Sequence, residues 1–159
     1  MKIAVIGIGQ SLRGDDAAGL DAIRRWQEEY PVTANRPEVH VEASELPGLA
    51  LIDLLKDADA AIIVDAVKSS ARPGTIYRLK ADDLSAFTPD AHSAHGWGVA
   101  ETLQLGCQLY PALKNLPVRL VGIEAGQVAV GSGLSPSVSQ AMPAVCETIE
   151  NEVQTLLSR

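Results

Sequence analysis

The chain has 159 residues, of which 47% are hydrophobic and 21% charged, and this length and composition predict one globular domain over residues 1–159 rather than a disordered or fibrous protein. Thirteen Lys and Arg residues against twenty Asp and Glu residues leave a net charge of −7. A negative charge of this size repels phosphate backbones, so the composition argues against nucleic acid as a partner.

The first half of the chain alternates between strand-like and helix-like segments. A continuous apolar run at residues 2–8 has the length of a strand, and apolar residues at helical spacing follow over residues 15–30. A second strand is predicted at 39–43 and a short helix at 49–56. Residues 60–67 form the most apolar segment and predict a central, buried strand.

The second half continues this alternation after the turn signal Arg72-Pro73-Gly74. The alternating residues 75–79 that follow predict an edge strand, arranged as a meander. A helix is predicted over 93–110 and another buried strand at 118–123. The dipeptide Ser135-Pro136 is typical of a helix start, so the final helix is predicted from there to the end of the chain.

Strands that alternate with helices predict an α/β fold, in which one doubly wound, mostly parallel, twisted sheet with one antiparallel edge strand is flanked by helices. Functional residues of such sheets gather at the carboxyl ends of the strands. Cys107 and Cys146 fall in helix-like stretches, as reduced, buried thiols do. The apolar N-terminal run is too short for a membrane span and has no signal-peptide pattern. We therefore expect a cytoplasmic protein without a membrane partner.

A glycine-rich segment that ends in two acids, Gly7-Ile8-Gly9-Gln10-Ser11-Leu12-Arg13-Gly14-Asp15-Asp16, follows the first strand. A dinucleotide site is disfavoured, because Leu12 replaces the third glycine of that fingerprint and the acids stand where a pyrophosphate needs free donors. One acid is expected to cap the helix and stabilise its dipole, and Asp15 is the better candidate. An Asp15→Asn variant should then lose about 1 kcal/mol or less. Asp16 is therefore the candidate for a catalytic or metal-binding role.

An aspartate and a histidine follow two later strands. Asp65 ends the central apolar run, where a carboxylate is costly unless it is paired, binds a cation or caps the next loop. His95 leads into the next helix near the same edge; His92 is a second candidate, and His40 is expected to be structural. Two carboxylates and one imidazole with open positions suit Ni(II) or Zn(II). We therefore predict that Asp16, Asp65 and His95 converge in one catalytic, metal-contacting site.

Six motifs cover nearly the whole chain in order: Gly7-x-Gly9-Gln10-Ser11-Leu12-x-x-Asp15-Asp16-x-x-Gly19, Val64-Asp65-Ala66, Pro73-Gly74-Thr75, His95 before a helix, Val121-Gly122-Ile123-Glu124, and Gly133-Leu134-Ser135-Pro136-Ser137-Val138. This set resembles the hydrogenase maturation endopeptidases, which trim the C-terminus of the large subunit of nickel-iron hydrogenases. The resemblance implies that Asp16, Asp65 and His95 contact the metal. It also implies no tightly bound cofactor: Ni(II) carried by the large-subunit precursor docks at these residues, where Zn(II) or a similar ion can substitute.

The chain departs from the family pattern at two places. Gln10 replaces the usual asparagine, and residues 42–48 retain only Gly48 of a Gly-Gly-Thr-like turn that is expected to contact the substrate. Two alternatives stay open: a nickel-checking chaperone without proteolysis, and a receiver-type signalling domain, which needs a lysine after the last strand where Glu124 stands. The residues also leave open whether Asp16 or Asp65 is the general base.

Overall fold

The computed structural model describes residues 1–45, 48–86, 92–93 and 99–159 of the chain. The strands are β1 (Ile3–Ile8), β2 (Val39–Ser44), β3 (Ala60–Lys68), β4 (Ile76–Lys80), β5 (His92–Ser93) and β6 (Val118–Glu124). The α-helices are α1 (Ala18–Glu29), α2 (Pro31–Ala34), α3 (Leu49–Lys56), α4 (Val99–Leu109) and α5 (Pro136–Leu157). Short 3-10 helices are formed by Gly14–Ala17, Ala81–Ala86 and Pro111–Asn115.

Five strands form one sheet in the order β2-β1-β3-β6-β4. The pairs β1–β2, β1–β3 and β3–β6 are parallel, whereas β4 runs antiparallel to β6 at one edge. The two-residue strand β5 pairs antiparallel with the end of β3. This arrangement confirms the predicted α/β fold, a mostly parallel sheet with an antiparallel edge strand.

The predicted meander is wrong, because β4 does not lie beside the strand that precedes it. Both edges of β3 are already paired, one with β1 and the other with β6. The turn before β4 is instead held by β6: the Gly74 amide donates to the Glu124 carbonyl (2.9 Å), and the Glu124 amide donates to the Thr75 carbonyl (2.8 Å). Gly74 has a φ of +88°, which favours glycine, and β4 returns along β6.

Alternate residues of the strands pack into two core layers, because successive side chains of a strand point to opposite faces. One layer joins the sheet to α1 and α5 and includes Val5, Val64 and the buried Trp26. The other joins it to α3 and α4 and includes Ile6 and Ile63. The two layers cover both faces of the three central strands, which explains why these strands are predominantly apolar.

Two helices begin later than their periodicity predicted. α1 begins at Ala18 rather than at residue 15, because Gly14–Ala17 forms a separate 3-10 turn. α4 begins at Val99 rather than at residue 93, because Ser93 pairs with Val67 in the sheet. Both differences occur at the carboxyl edge of the sheet. Among the described residues, no helix is both long and apolar enough to cross a membrane.

Candidate active site

Asp16 lies in the short 3-10 turn Gly14–Ala17 that separates β1 from α1. Its side chain is fully buried. The turn is held from both sides: the Asp16 amide donates to the Arg13 carbonyl (3.0 Å), and the Asp16 carbonyl accepts from the Gln10 amide (3.2 Å). A Cβ at Gly9 would lie 2.2 Å from the same Asp16 carbonyl oxygen. The glycine therefore lets the loop fold back over the end of β1.

Asp65 lies inside β3, three residues before its end, rather than at the end of the strand as predicted. It follows the last residue of β3 that pairs with β1, which is Val64, and stands opposite Gly122 of β6. Its side chain is 2% exposed. By alternation Asp65 shares a face with Ile63, which packs in the layer of α3 and α4. The carboxylate is therefore on the α4 side of the sheet.

Gly19 of α1 links the surroundings of the two aspartates. A Cβ at this position would lie 2.3 Å from the carbonyl oxygens of both Ile8 and Val64, a distance that no real side chain tolerates. The absence of a side chain lets the first turn of α1 rest on the ends of β1 and β3. Because Gly19 follows Asp16 by three residues and Val64 precedes Asp65, this contact brings the aspartates to the same edge of the sheet.

His95 lies outside the described residues, so its position in the site stays a prediction. The described chain on either side of it ends at this edge. Ser93 pairs with Val67, two residues after Asp65. Val99, the first residue of α4, is buried in the same layer as Ile63. His92 belongs to β5, and His40 is exposed on β2.

Asp15 is not the helix cap that its position predicted. Its buried carboxylate crosses to the loop after β6 and accepts four hydrogen bonds there: from the amides of Gly126 (2.8 Å), Gln127 (2.9 Å) and Ser135 (2.6 Å), and from the Ser135 hydroxyl (2.7 Å). Burial alone would raise the pKa of Asp15, but these hydrogen bonds outweigh it and hold the pKa below its ordinary value. Asp15 thus joins the first loop to the start of α5. Ser135 does precede that helix as predicted, but its hydroxyl binds Asp15 instead of capping the helix.

Glu124 is another buried carboxylate of this edge, and no structural role was predicted for it. It accepts hydrogen bonds from the Ser69 amide (2.9 Å), the Ser69 hydroxyl and the Tyr77 hydroxyl (3.0 Å). It therefore joins the end of β6 to the loop after β3. Burial and the neighbouring Glu124 carboxylate raise the pKa of Tyr77. The informative signal was an acid at the end of an apolar strand, the same signal that singled out Asp65.

The two departures from the family pattern contact each other. The Gln10 side-chain amide donates to the Glu45 carbonyl (2.7 Å), and the Ser11 amide donates to the Glu45 carboxylate (2.8 Å). Hydrogen bonding from Ser11 lowers the pKa of Glu45. The loop after β1 and the loop after β2 are therefore one connected unit. Leu46 and Pro47, which follow Glu45, lie outside the described residues.

The described part of the chain contains no group of three His, Cys, Asp or Glu side chains arranged to hold a metal ion. Of the predicted set, only Asp16 and Asp65 belong to that part. A cavity of about 570 Å³ lies at the opposite, amino edge of the sheet, between α4 and the start of β6, where Leu103, Cys107 and Leu113 line it. That cavity contains none of the predicted site residues.

Comparison with solved structures shows which class of protein has this fold. The hydrogenase maturating endopeptidase HybD of Escherichia coli matches with a TM-score of 0.79 and 22% sequence identity, over 98% of this chain and 93% of that one. The [NiFe] hydrogenase maturation protease HybD of Thermococcus kodakarensis matches with a TM-score of 0.74 and 24% identity, over 96% and 99%. The fold is therefore that of the hydrogenase maturation endopeptidases.

Residues 41–152 match a family model described as hydrogenase maturation protease, and the chain belongs to this family. It is 28% identical over 152 residues to the hydrogenase expression/formation protein HupD of Thiocapsa roseopersicina, a match that covers 94% of this chain and 66% of the relative. The chain spans two thirds or less of the length of the first curated relatives it matches. The roles predicted for Asp16, Asp65 and His95 stay predictions.

Proposed function

We propose that this chain is an endopeptidase that removes the C-terminal extension of a nickel-iron hydrogenase large-subunit precursor, and that nickel in the precursor licenses the cut. One observation carries the proposal. In a chain of the maturation protease family, two acidic residues of the family motifs, Asp16 and Asp65, are buried at the edge of the sheet where α/β proteins bind their ligands.

The nickel enters this proposal as part of the substrate. Asp16 and Asp65 supply carboxylate oxygens and His95 supplies an imidazole nitrogen, ligand types that suit Ni(II) or Zn(II). Three protein ligands leave coordination positions open for the precursor, so the isolated protein holds no metal tightly. The docked metal can polarise the scissile carbonyl or lower the pKa of a bound water, and Asp16 or Asp65 serves as general base.

The covalent structure of the chain supports the inclusion of His95. Ser93 pairs beside Val67, at the edge that carries Asp65. Consecutive Cα atoms are about 3.8 Å apart, so the His95 Cα lies within about 8 Å of the Ser93 Cα whatever the conformation between them. This limit on the distance is compatible with the proposed role of His95 as a ligand at the same edge. The buried start of α4 at Val99 supports the same assignment.

The test compares nickel-loaded and nickel-free large-subunit precursor from the same organism, each incubated with the purified protein. We expect mass spectrometry to show a shortened C-terminus for the loaded precursor alone, because without nickel the three protein ligands lack both the docking contact and the electrophile. Equal cleavage of both precursors contradicts the nickel requirement. Binding of the loaded precursor without any change of mass favours the chaperone alternative.

Three variants and two matched control variants test the site. Asp16→Asn, Asp65→Asn and His95→Ala should abolish cleavage, while the far-ultraviolet circular dichroism stays that of the wild type. Asp53→Asn, on an exposed position of α3, and His40→Ala, on an exposed position of β2, should cleave normally. Full activity in either the Asp65 or the His95 variant would refute the assigned site.

A further inference from the structure

Two large apolar side chains are exposed on loops at the candidate active site. Leu12, in the loop after β1, is 72% exposed, and Val130, in the loop after β6, is 78% exposed. Single exposed apolar residues are common on protein surfaces. Adjacent ones that rim a functional site mark an interaction surface more often.

Backbone hydrogen bonds join the two loops at these residues. The Gly131 amide, next to Val130, donates to the Leu12 carbonyl (2.8 Å), and the Asp15 amide donates to the Gln127 carbonyl (2.6 Å). The main chain at Leu12 therefore lies directly beside the main chain that carries Val130. The two exposed side chains are therefore attached at neighbouring positions of two paired loops.

The loop after β1 and the loop after β6 are held in place within the protein itself. The four hydrogen bonds accepted by the Asp15 carboxylate lock the start of the second loop to the first. Gly14 and Gly131 adopt φ angles of +56° and +83°, conformations that favour glycine. A Cβ at Gly14 would lie 2.4 Å from the Gln127 carbonyl oxygen, so the loops approach each other as closely as the backbone permits. Because the backbone of both loops is already ordered, a partner that covers these residues does not have to order the loops as it binds.

The position of the pair identifies its occupant. Leu12 precedes Asp16 by four residues, and its loop folds back so that the Gln10 amide reaches the Asp16 carbonyl. A protein whose metal centre reaches Asp16 therefore approaches the loop that carries Leu12, and with it the loop after β6 that is bonded to Leu12. The two side chains carry no charge and expose aliphatic surface, so the segment that covers them is apolar.

We propose that Leu12 and Val130 form a docking surface for an apolar segment of the large-subunit precursor beside its nickel centre. This inference rests on the proposed function and adds the surface by which the substrate is recognised. Neither side chain takes part in bond breaking. Their contribution is to binding, so their loss affects KM and leaves kcat nearly unchanged.

The experiment measures KM and kcat of Leu12→Ser, Val130→Ser and the double variant with the nickel-loaded precursor, by the rate of mass loss. Each single variant should raise KM roughly tenfold, the size expected for an anchoring residue of an interface, with kcat within about twofold of the wild type. Val32→Ser and Leu109→Ser are the matched controls. They are 85% and 52% exposed and lie at the opposite edge, after α1 ends and where α4 ends, and they should leave KM unchanged.

A second measurement separates this inference from the proposed function. The dissociation constant for the nickel-loaded precursor is compared between Asp65→Asn alone and Asp65→Asn combined with each docking substitution, so that no cleavage occurs and the loss of the Asp65 contact is common to both. If the wild type cleaves but the docking variants bind and cleave as it does, only this inference fails. If Leu12 and Val130 are required for binding but the wild type never cleaves, the docking surface stands and the proposed function fails. If the variants instead change the oligomeric state of the free protein, the surface joins two copies of this chain and the inference is wrong.

Discussion

At the scale of single residues, the most consequential finding is that two buried carboxylates have a structural role: they hold loops in place by hydrogen bonds. Asp15 accepts hydrogen bonds from the loop after β6, and Glu124 accepts hydrogen bonds from the loop after β3. A buried carboxylate is costly unless hydrogen bonds replace its hydration, and both acids receive several. Adjacent acids of one motif thus have different duties: Asp15 fixes the loops, and Asp16 is presented at the edge that they form.

Replacement of Asp15 by asparagine should therefore cost much more than the loss of a helix cap. The asparagine side chain lacks the negative charge that strengthens the four hydrogen bonds. If the side chain keeps its orientation, its NH2 group also faces backbone N–H donors and cannot accept from them. We expect a loss of about 2–4 kcal/mol in the free energy of unfolding. Urea denaturation measures this loss, and Asp53→Asn, which removes only an exposed ion pair with Lys56, should change the free energy by about 0.5 kcal/mol or less. A loss below about 1 kcal/mol for Asp15→Asn would restore the cap interpretation.

At the scale of secondary-structure elements, the site depends on how closely α1 approaches the sheet. Gly7 and Gly19 face each other across this contact: a Cβ at Gly7 would lie 2.6 Å from the Gly19 carbonyl oxygen. Two glycines in contact let the helix sit deeper than any pair of larger residues permits. The 3-10 turn that carries Asp16 is continuous with this helix, so its position follows the depth of the helix.

Gly19→Ala tests this dependence, because two effects of opposite sign compete. Alanine has the better helix propensity by about 1 kcal/mol. The new Cβ, however, would lie 2.3 Å from two backbone carbonyl oxygens, and the helix must shift at a cost of about 1–3 kcal/mol. We expect a net loss of stability, measured by thermal unfolding, together with slower cleavage of the precursor.

Gly106→Ala in α4 is the control for Gly19→Ala. Its Cβ would meet side-chain atoms rather than backbone, the Leu113 Cδ1 at 3.2 Å and the Ile52 Cγ1 at 3.4 Å, so a shift of a few tenths of an ångström suffices. The propensity gain should therefore dominate there, and the variant should be as stable as the wild type or more so. If both variants are stabilised, the close approach of α1 has no energetic role.

At the scale of the whole molecule, one buried thiol couples stability to pH. Cys146 of α5 lies in the core layer shared with α1, and its Sγ is 3.8 Å from the Ala22 carbonyl oxygen. Burial raises the pKa of the Cys146 thiol from 9.0 to about 11, because the thiolate is disfavoured in the core. Since the folded state holds this proton more tightly than the unfolded state does, the stabilisation is complete below pH 9 and is lost as the pH rises towards 11.

The free energy of unfolding of the wild type should therefore fall between pH 9 and pH 11 by up to about 2 kcal/mol more than that of Cys146→Ala. Other groups, including Tyr77 with its raised pKa, titrate in both proteins, so their contribution cancels in the comparison. Between pH 7 and pH 9 the two curves should run parallel, offset by the cost of the cavity. Denaturation curves at five pH values provide the measurement, and parallel curves up to pH 11 would contradict the coupling.

The amino-acid sequence by itself determined most elements and the fold class. β1, α3 and β6 lie within a residue of their predicted bounds, because hydrophobic periodicity is a local property that each segment carries on its own. It also selected Asp16, in the turn between β1 and α1, and Asp65, in β3, as acids of one site. Their burial at one edge follows from parallel topology, which brings the carboxyl ends of the strands together.

Only the tertiary structure decided which distant groups meet. Asp15 finds its partners 111 to 120 residues away, so no local pattern distinguishes it from a helix cap. The turn before β4 is held by the end of β6, more than forty residues later in the chain, and this contact excludes the meander that the local turn signal favours. The start of α1 likewise depends on the approach of Gly19 to Val64. In each case the deciding energy belongs to a contact between segments, which exists only once the chain has folded.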